Sequence, residues 1–215
     1  MEVEYDKPKR GAPKADRAVL LAHGAGADMH AANLVAFAAA LAASGVPVLR
    51  FNFAYKAAGR SSPPKADTLQ DELRDARSEL ARRTKLPVER IVIGGRSMGG
   101  RVASMVAAAD ATTERALGLL LLAYPLHAPG RSQDRRADHF PQLTMPVLFV
   151  SGTRDSFGAP DELRDAARAI RGQVGWHWIE TGDHSFRPLK KQTGMSTDDA
   201  LAIAAPAVNE WVASL

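Results

Sequence analysis

Short apolar runs recur along the chain, and the segments between them carry apolar residues at helical spacing. The runs are AVLLAHG (18–24), VLRFNF (48–53), IVIGG (91–95), LGLLLLAYP (117–125), PVLFVSG (146–152) and WHWIE (176–180). Several are apolar at successive rather than alternate positions, the pattern of a strand covered on both faces. All six are predicted to be strands.

The intervening segments read as helices with recognisable ends. Residues 31–43 place Leu34, Phe37, Ala38 and Leu41 on one stripe, and Ser44-Gly45 supplies a stop. Residues 67–85 align Leu69, Leu73, Ala76 and Leu80 opposite a charged face, with Pro87 beyond the end. Residues 160–171 open on Pro160, Asp161 and Glu162, where a missing N–H is harmless and acids suit the helix dipole, and Gly172 closes them. A last helix starts near Thr197-Asp198-Asp199 and carries Leu201, Val208 and Trp211; Pro206 is expected to kink or split it. Strand–helix alternation with short links predicts an α/β fold, a mostly parallel sheet of six or seven strands with helices on both faces. Right-handed crossovers then bring the carboxyl ends of the parallel strands to one edge, where sites in such sheets form. Neither a repeat nor a low-complexity linker divides the chain, so residues 17–215 are expected to be one domain. Residues 1–16 are expected to be a flexible tail or an edge strand.

Composition narrows the chemistry by exclusion. Hydrophobic residues at 46% and charged residues at 24% are ordinary globular usage. The net charge of +4 is spread along the chain; the one basic cluster near a terminus, KPKR (7–10), reads as a solvated tail rather than a nucleic-acid arm. With no cysteine there are no disulfides, thiolate metal sites or thiol nucleophiles. The N-terminus has no apolar stretch of the signal-peptide kind, and ALGLLLLAYPL is far short of the ~20 residues that span a bilayer. The expectation is a cytoplasmic protein with no metal, no cofactor, no nucleic-acid partner and no membrane partner; the sequence does not give its oligomeric state.

The stretch IVIGGRSMGG (91–100) carries the strongest chemical signal. Ser97 stands between an apolar strand and a helix beginning near Met98, flanked by Gly95 and Gly99. A serine on such a strained strand-to-helix turn projects its hydroxyl above the sheet edge, and glycines two residues before and after let the chain pass close to its neighbours. A hydroxyl needs a base, and the base an orienting acid, before it attacks at neutral pH. Asp155 follows PVLFVSG and His184 follows WHWIE, so both belong at later strand ends. Ser97, Asp155, His184 is the chain order that this type of sheet uses. Asp183 is the rival acid, but its adjacency to His184 places it poorly to orient the ring. The developing oxyanion requires preorganised donors, and the backbone N–H groups of Met98 and of Ala25 in the small-residue loop HGAGAD (23–28) are assigned to it. His23 is expected to brace that loop, His127 and His139 to lie in a connection bordering the pocket, and His177 to be structural.

Taken together, HGAG, RFNFAY, GGRSMGGR, YPLHAPG, PVLFVSGTRD and GDHSF resemble the small α/β-hydrolases related to dienelactone hydrolase. Among these the chain is most similar to the subgroup that includes a testis-expressed protein and a subunit of a chromatin acetyltransferase complex. The match runs in order from about residue 17 to the C-terminus. The resemblance implies an α/β-hydrolase fold without a large lid domain, Ser97 as nucleophile, Asp155 as acid and His184 as base. Dienelactone hydrolases themselves use a cysteine nucleophile, so their substrate does not transfer.

The expectation is therefore a serine hydrolase that cleaves a small carboxylic ester or thioester through an acyl-enzyme. The other reading, from a different class, is a non-catalytic protein-interaction module on the same scaffold. Tyr55, Arg96, Tyr124 and Phe186 are expected around an open, shallow pocket. Arg96 either braces a loop, the favoured role, or meets an anionic acyl group.

Overall fold

Alternate residues of each buried strand point to opposite faces, so a run of successive apolar residues feeds two cores at once. A computed structural model describes residues 1–9 and 11–215. Its strands are β1 (Glu2–Asp6), β2 (Ala18–Ala22), β3 (Val48–Asn52), β4 (Ile91–Arg96), β5 (Leu119–Leu122), β6 (Val147–Gly152) and β7 (Val174–Ile179). They form one seven-stranded sheet in the order β1-β3-β2-β4-β5-β6-β7. Strands β2 to β7 are parallel to their neighbours, and only β1 runs antiparallel, along β3. The helices are α1 (Ala32–Ala43), α2 (Ala54–Ala57), α3 (Gln70–Thr84), α4 (Met98–Ala109), α5 (Pro160–Ala167), α6 (Lys190–Thr193) and α7 (Thr197–Ser214).

Leu20, Leu49, Phe51, Ile93, Leu121 and Phe149 turn to one face, where they are buried with α3, α4 and α5. Val19, Leu21, Val48, Val92, Leu120 and Val150 turn to the other, against α1 and α7. Burying one such side chain contributes about 1.5–3 kcal/mol, which makes the register of every central strand costly to shift. At the edge, Arg50 of β3 donates to both carboxylate oxygens of Asp6, at 2.8 and 3.0 Å, and Asn52 donates to Glu2, holding β1 in place. Within the KPKR cluster, the Lys9 N–H donates to Ala42 at 3.1 Å; Arg10 lies outside the described residues.

Three helices differ from the sequence pattern. The 67–85 segment opens with a 3-10 turn over Ala66–Leu69 before α3 begins. Helix α5 stops at Ala167 instead of running to 171, because Arg171 and Gly172 both turn their N–H groups to the carbonyl of Leu143. Helix α7 passes Pro206 without a break. Its buried residues lie on both sides of the proline, Leu201 and Ala204 before it and Val208 and Val212 after it, so packing against α1 overrides the lost donor. No helix among the described residues is long and apolar enough to cross a membrane.

Candidate active site

The carboxyl ends of β2, β4, β6 and β7 converge on one cleft. Ser97 leaves β4 with φ 50° and ψ −116°, a backbone conformation rare for any residue with a β-carbon. What holds it is close packing on either side. A β-carbon on Gly95 would stand 2.3 Å from the Ala22 carbonyl oxygen, and one on Gly99 would stand 2.4 Å from the same atom. Serine therefore sits at the tip of a turn in which β4 and the start of α4 both press against the end of β2.

The Ser97 hydroxyl lies 2.8 Å from Nε2 of His184. Nδ1 of His184 lies 2.8 and 3.0 Å from the two carboxylate oxygens of Asp155, whose side chain is fully buried. An ionised carboxylate only accepts, so Nδ1 carries the proton and Nε2 is left to accept a hydrogen bond from the Ser97 hydroxyl. Asp155 is itself fixed, accepting from the Phe157 N–H at 2.9 Å, and the Phe157 ring stacks on the imidazole with centroids 4.0 Å apart. Asp183 does not meet the ring. Its carboxylate accepts from the N–H groups of Ser185 and Arg187 and closes the turn that carries His184.

The HGAG loop is held from behind. His23 is buried, its Nδ1–H donating to Gly24 while Nε2 accepts from the Phe53 N–H; burial lowers its proton affinity and keeps it neutral. The Tyr55 hydroxyl donates to the Ala25 carbonyl at 2.8 Å. Ala25 and Met98 both line the cleft beside Ser97, and the Met98 N–H, in the first turn of α4, has no partner within its own helix. The cleft measures about 440 Å³ and is also lined by Gly26, Pro63, Pro64, Pro125 and Phe157.

Three of the expected pocket residues do not reach this cleft. Tyr124 is fully buried: the chain turns sharply at Ala123 (φ 50°), which swings the ring inward against Phe140 and Phe149. Phe186 is fully buried too, because its own left-handed turn (φ 63°) tucks the ring against Phe37 of α1. Tyr55 is 2% exposed, packed beside Phe53 and His23, and braces the HGAG loop rather than lining the mouth. Arg96 does line the cleft, but its guanidinium donates to the His184 carbonyl and the Ser185 hydroxyl, so it braces the loop that carries the imidazole. The sequence reading missed Phe157, Arg101 and Arg136. Arg101 had a signal: it follows Ser97 by one helical turn and so shares its side of α4.

A second serine–histidine pair lies nearby, with Ser104 Oγ 2.7 Å from His139 Nε2. Ser104 is fully buried and donates its proton to the Arg101 carbonyl, so here the histidine is the donor. Burial and the neighbouring Arg101 charge lower the His139 pKa to about 4. This pair is structural, and it carries a pH signature. Between pH 6.5 and about 4 the unfolded chain binds a proton that the folded chain refuses, so stability falls as the solution is acidified. Urea unfolding at neutral pH and near pH 5 should show wild type losing about 1–2 kcal/mol more than His139→Gln. Equal losses in both proteins would contradict this assignment.

A parallel sheet with a strained serine between strand and helix, and an acid and a histidine on later strand ends, defines the α/β-hydrolase class. Residues 15–213 match the family described as an alpha/beta hydrolase domain, and the chain belongs to that family. Solved structures share the fold over nearly the whole chain. Est1E from Butyrivibrio proteoclasticus with ferulic acid bound has a TM-score of 0.76 at 17% identity, covering 99% of this chain and 94% of that one. A dienelactone hydrolase from Anabaena variabilis has a TM-score of 0.73 at 20% identity, covering 97% and 89%. A serine hydrolase without a lid from Xanthomonas campestris has a TM-score of 0.69 at 24% identity, covering 97% and 88%. Among its described residues the present chain likewise has no lid domain over the seven-stranded sheet.

Proposed function

We propose that the protein is a serine hydrolase that cleaves small carboxylic esters or thioesters through an acyl-enzyme on Ser97. The single observation that carries this reading is the unbroken relay of Ser97, His184 and Asp155, with a 2.8 Å contact on each side of the imidazole. In the first half-reaction His184 takes the Ser97 proton as Oγ attacks the carbonyl, then gives it to the departing alcohol or thiol. Asp155 holds the ring in the required tautomer and stabilises the imidazolium. Water, activated by the same imidazole, then cleaves the acyl-enzyme. The N–H groups of Met98 and Ala25 are assigned to the oxyanion, with Tyr55 and His23 keeping the Ala25 loop in place. The motif set GGRSMGGR and GDHSF argues for the testis-expressed and chromatin-complex subgroup within the family.

The test is a panel of matched acetyl donors: 4-nitrophenyl acetate, an acetyl thioester and 4-nitroacetanilide. Turnover of the ester or the thioester that disappears in Ser97→Ala supports the reading; turnover that persists in the variant, or is absent from wild type, refutes it. Asp155→Asn leaves the shape of the relay but no longer imposes the tautomer, so kcat should fall on the order of 10³–10⁴. An Asp155→Asn enzyme within tenfold of wild type, in a steady-state assay of folded protein, would remove Asp155 from the relay.

A further inference from the structure

The wall of the cleft beyond Ser97 is cationic and has no acid in it. Lys65, Arg96, Arg101 and Arg136 are among its lining residues, and no Asp or Glu is. Arg101 and Arg136 also face the adjoining groove, where Asp67 and Asp138 stand among the lining residues, but among the described residues neither arginine forms an ion pair with them.

Several arginines outside the lining of the cleft are matched. Arg131 pairs with Asp134, Arg135 reaches Asp165 on α5, and Arg74 of α3 pairs with both Asp71 and Asp110. Among the described residues Arg101 and Arg136 have no such partner. The Nε of Arg101 is buried with no acceptor. Burial first, and then the Arg101 charge, lowers the proton affinity of Arg136.

Both residues are held in position. Arg101 lies one turn along α4 from the nucleophile, its N–H donating to the Ser97 carbonyl at 3.0 Å. Arg136 is pinned through its backbone, the N–H donating to Leu126 at 2.7 Å and the carbonyl accepting from the Tyr124 hydroxyl. Two half-buried like charges without a counter-ion are unfavourable alone, and guanidinium donors fit the oxygens of carboxylate or phosphate. Arg96 likewise has a buried Nε with no acceptor, but part of its donor capacity goes to the His184 loop.

We infer that the ester accepted by this cleft carries an anionic carboxylate or phosphate group, held by Arg101 and Arg136 while the carbonyl lies at Ser97. This substrate class rests on the serine-hydrolase reading, and the experiment separates the two. Mono-4-nitrophenyl adipate and 4-nitrophenyl hexanoate present the same acyl length with and without a terminal charge. The charged ester should have a kcat/KM about tenfold higher or more, and the advantage should shrink toward about 0.5 M salt. Arg101→Gln and Arg136→Gln should each reduce that ratio, and Arg101→Lys should recover part of it by restoring the charge. Hexanoate turnover that depends on Ser97, with no preference for the charged ester, overturns the anion assignment and leaves the hydrolase reading standing.

Binding supplies a readout that does not need turnover. Ser97→Ala protein is titrated calorimetrically with adipate and, separately, with inorganic phosphate. Adipate binding that Arg101→Gln weakens identifies a carboxylate site, and phosphate binding that it weakens identifies a phosphate site. Either result supports the assignment even if wild type turns over neither ester, in which case only the hydrolase reading fails. Binding of neither anion, or binding indifferent to both arginine variants, overturns it.

Discussion

Ser97→Ala is expected to lower kcat for the preferred ester on the order of 10⁴–10⁶, or about 5–8 kcal/mol of transition-state stabilisation. The loss is large because no other group in the cleft can form the acyl-enzyme. Ser104 is buried, and its hydroxyl proton is already given to the Arg101 carbonyl. The fold should survive, since alanine keeps the β-carbon at φ 50° and removes only the hydroxyl that meets His184. Because the relay acts as a unit, Ser97→Ala combined with His184→Ala should be no slower than Ser97→Ala alone. A double variant slower by the product of the two single effects would mean that the residues act independently.

The second large effect concerns stability. Gly95→Ala and Gly99→Ala each drive a methyl group to within 2.4 Å of the Ala22 backbone oxygen, and Gly99→Ala also to 2.6 Å of the His23 oxygen. Backbone atoms of a central strand cannot swing aside as a flexible side chain can. Each variant should lose more than ~4 kcal/mol, the range reserved for overpacking and strain at special positions, and the folded fraction should be poorly active. Gly26→Ala is the stability control: its added methyl group meets nothing within 4 Å, so it should stay within about 0.5 kcal/mol of wild type. Urea unfolding of the three variants checks this; a Gly95→Ala protein within 1 kcal/mol of wild type would show that the elbow has slack.

The central architecture could be read from the sequence because its signals are local. Successive apolar residues mark strands buried on both faces, and β2 to β7 follow from them. Ser97, Asp155 and His184 each stand directly after such a run, so a right-handed parallel sheet brings them to one edge before any distance is known. The glycines around Ser97 were legible for the same reason, as a steric demand made by one sharp turn.

What escaped depends on contacts distant in sequence. Tyr124 and Phe186 follow strand ends just as the relay residues do, yet left-handed backbone at Ala123 and at Phe186 itself sends both rings into the core. For residues 1–16 the sequence left tail and edge strand both open, because the alternating EVEYD is no apolar run and the pairing of β1 with β3 is held by Arg50–Asp6 and Asn52–Glu2. The early end of α5 is set by the Leu143 carbonyl, far from the helix in sequence. Arg136 gave no signal at all, because its importance lies in what is missing around it. Arg131 and Arg135 in the same segment look identical as letters but have carboxylate partners.

The most direct measurement of the central claim is covalent capture of the nucleophile. Intact protein treated with a fluorophosphonate, digested and analysed by mass spectrometry should carry one adduct, on the peptide that contains Ser97. Ser97→Ala should carry none, and Asp155→Asn should react far more slowly. Wild type left unlabelled, or an adduct on another serine that persists in Ser97→Ala, would contradict the account.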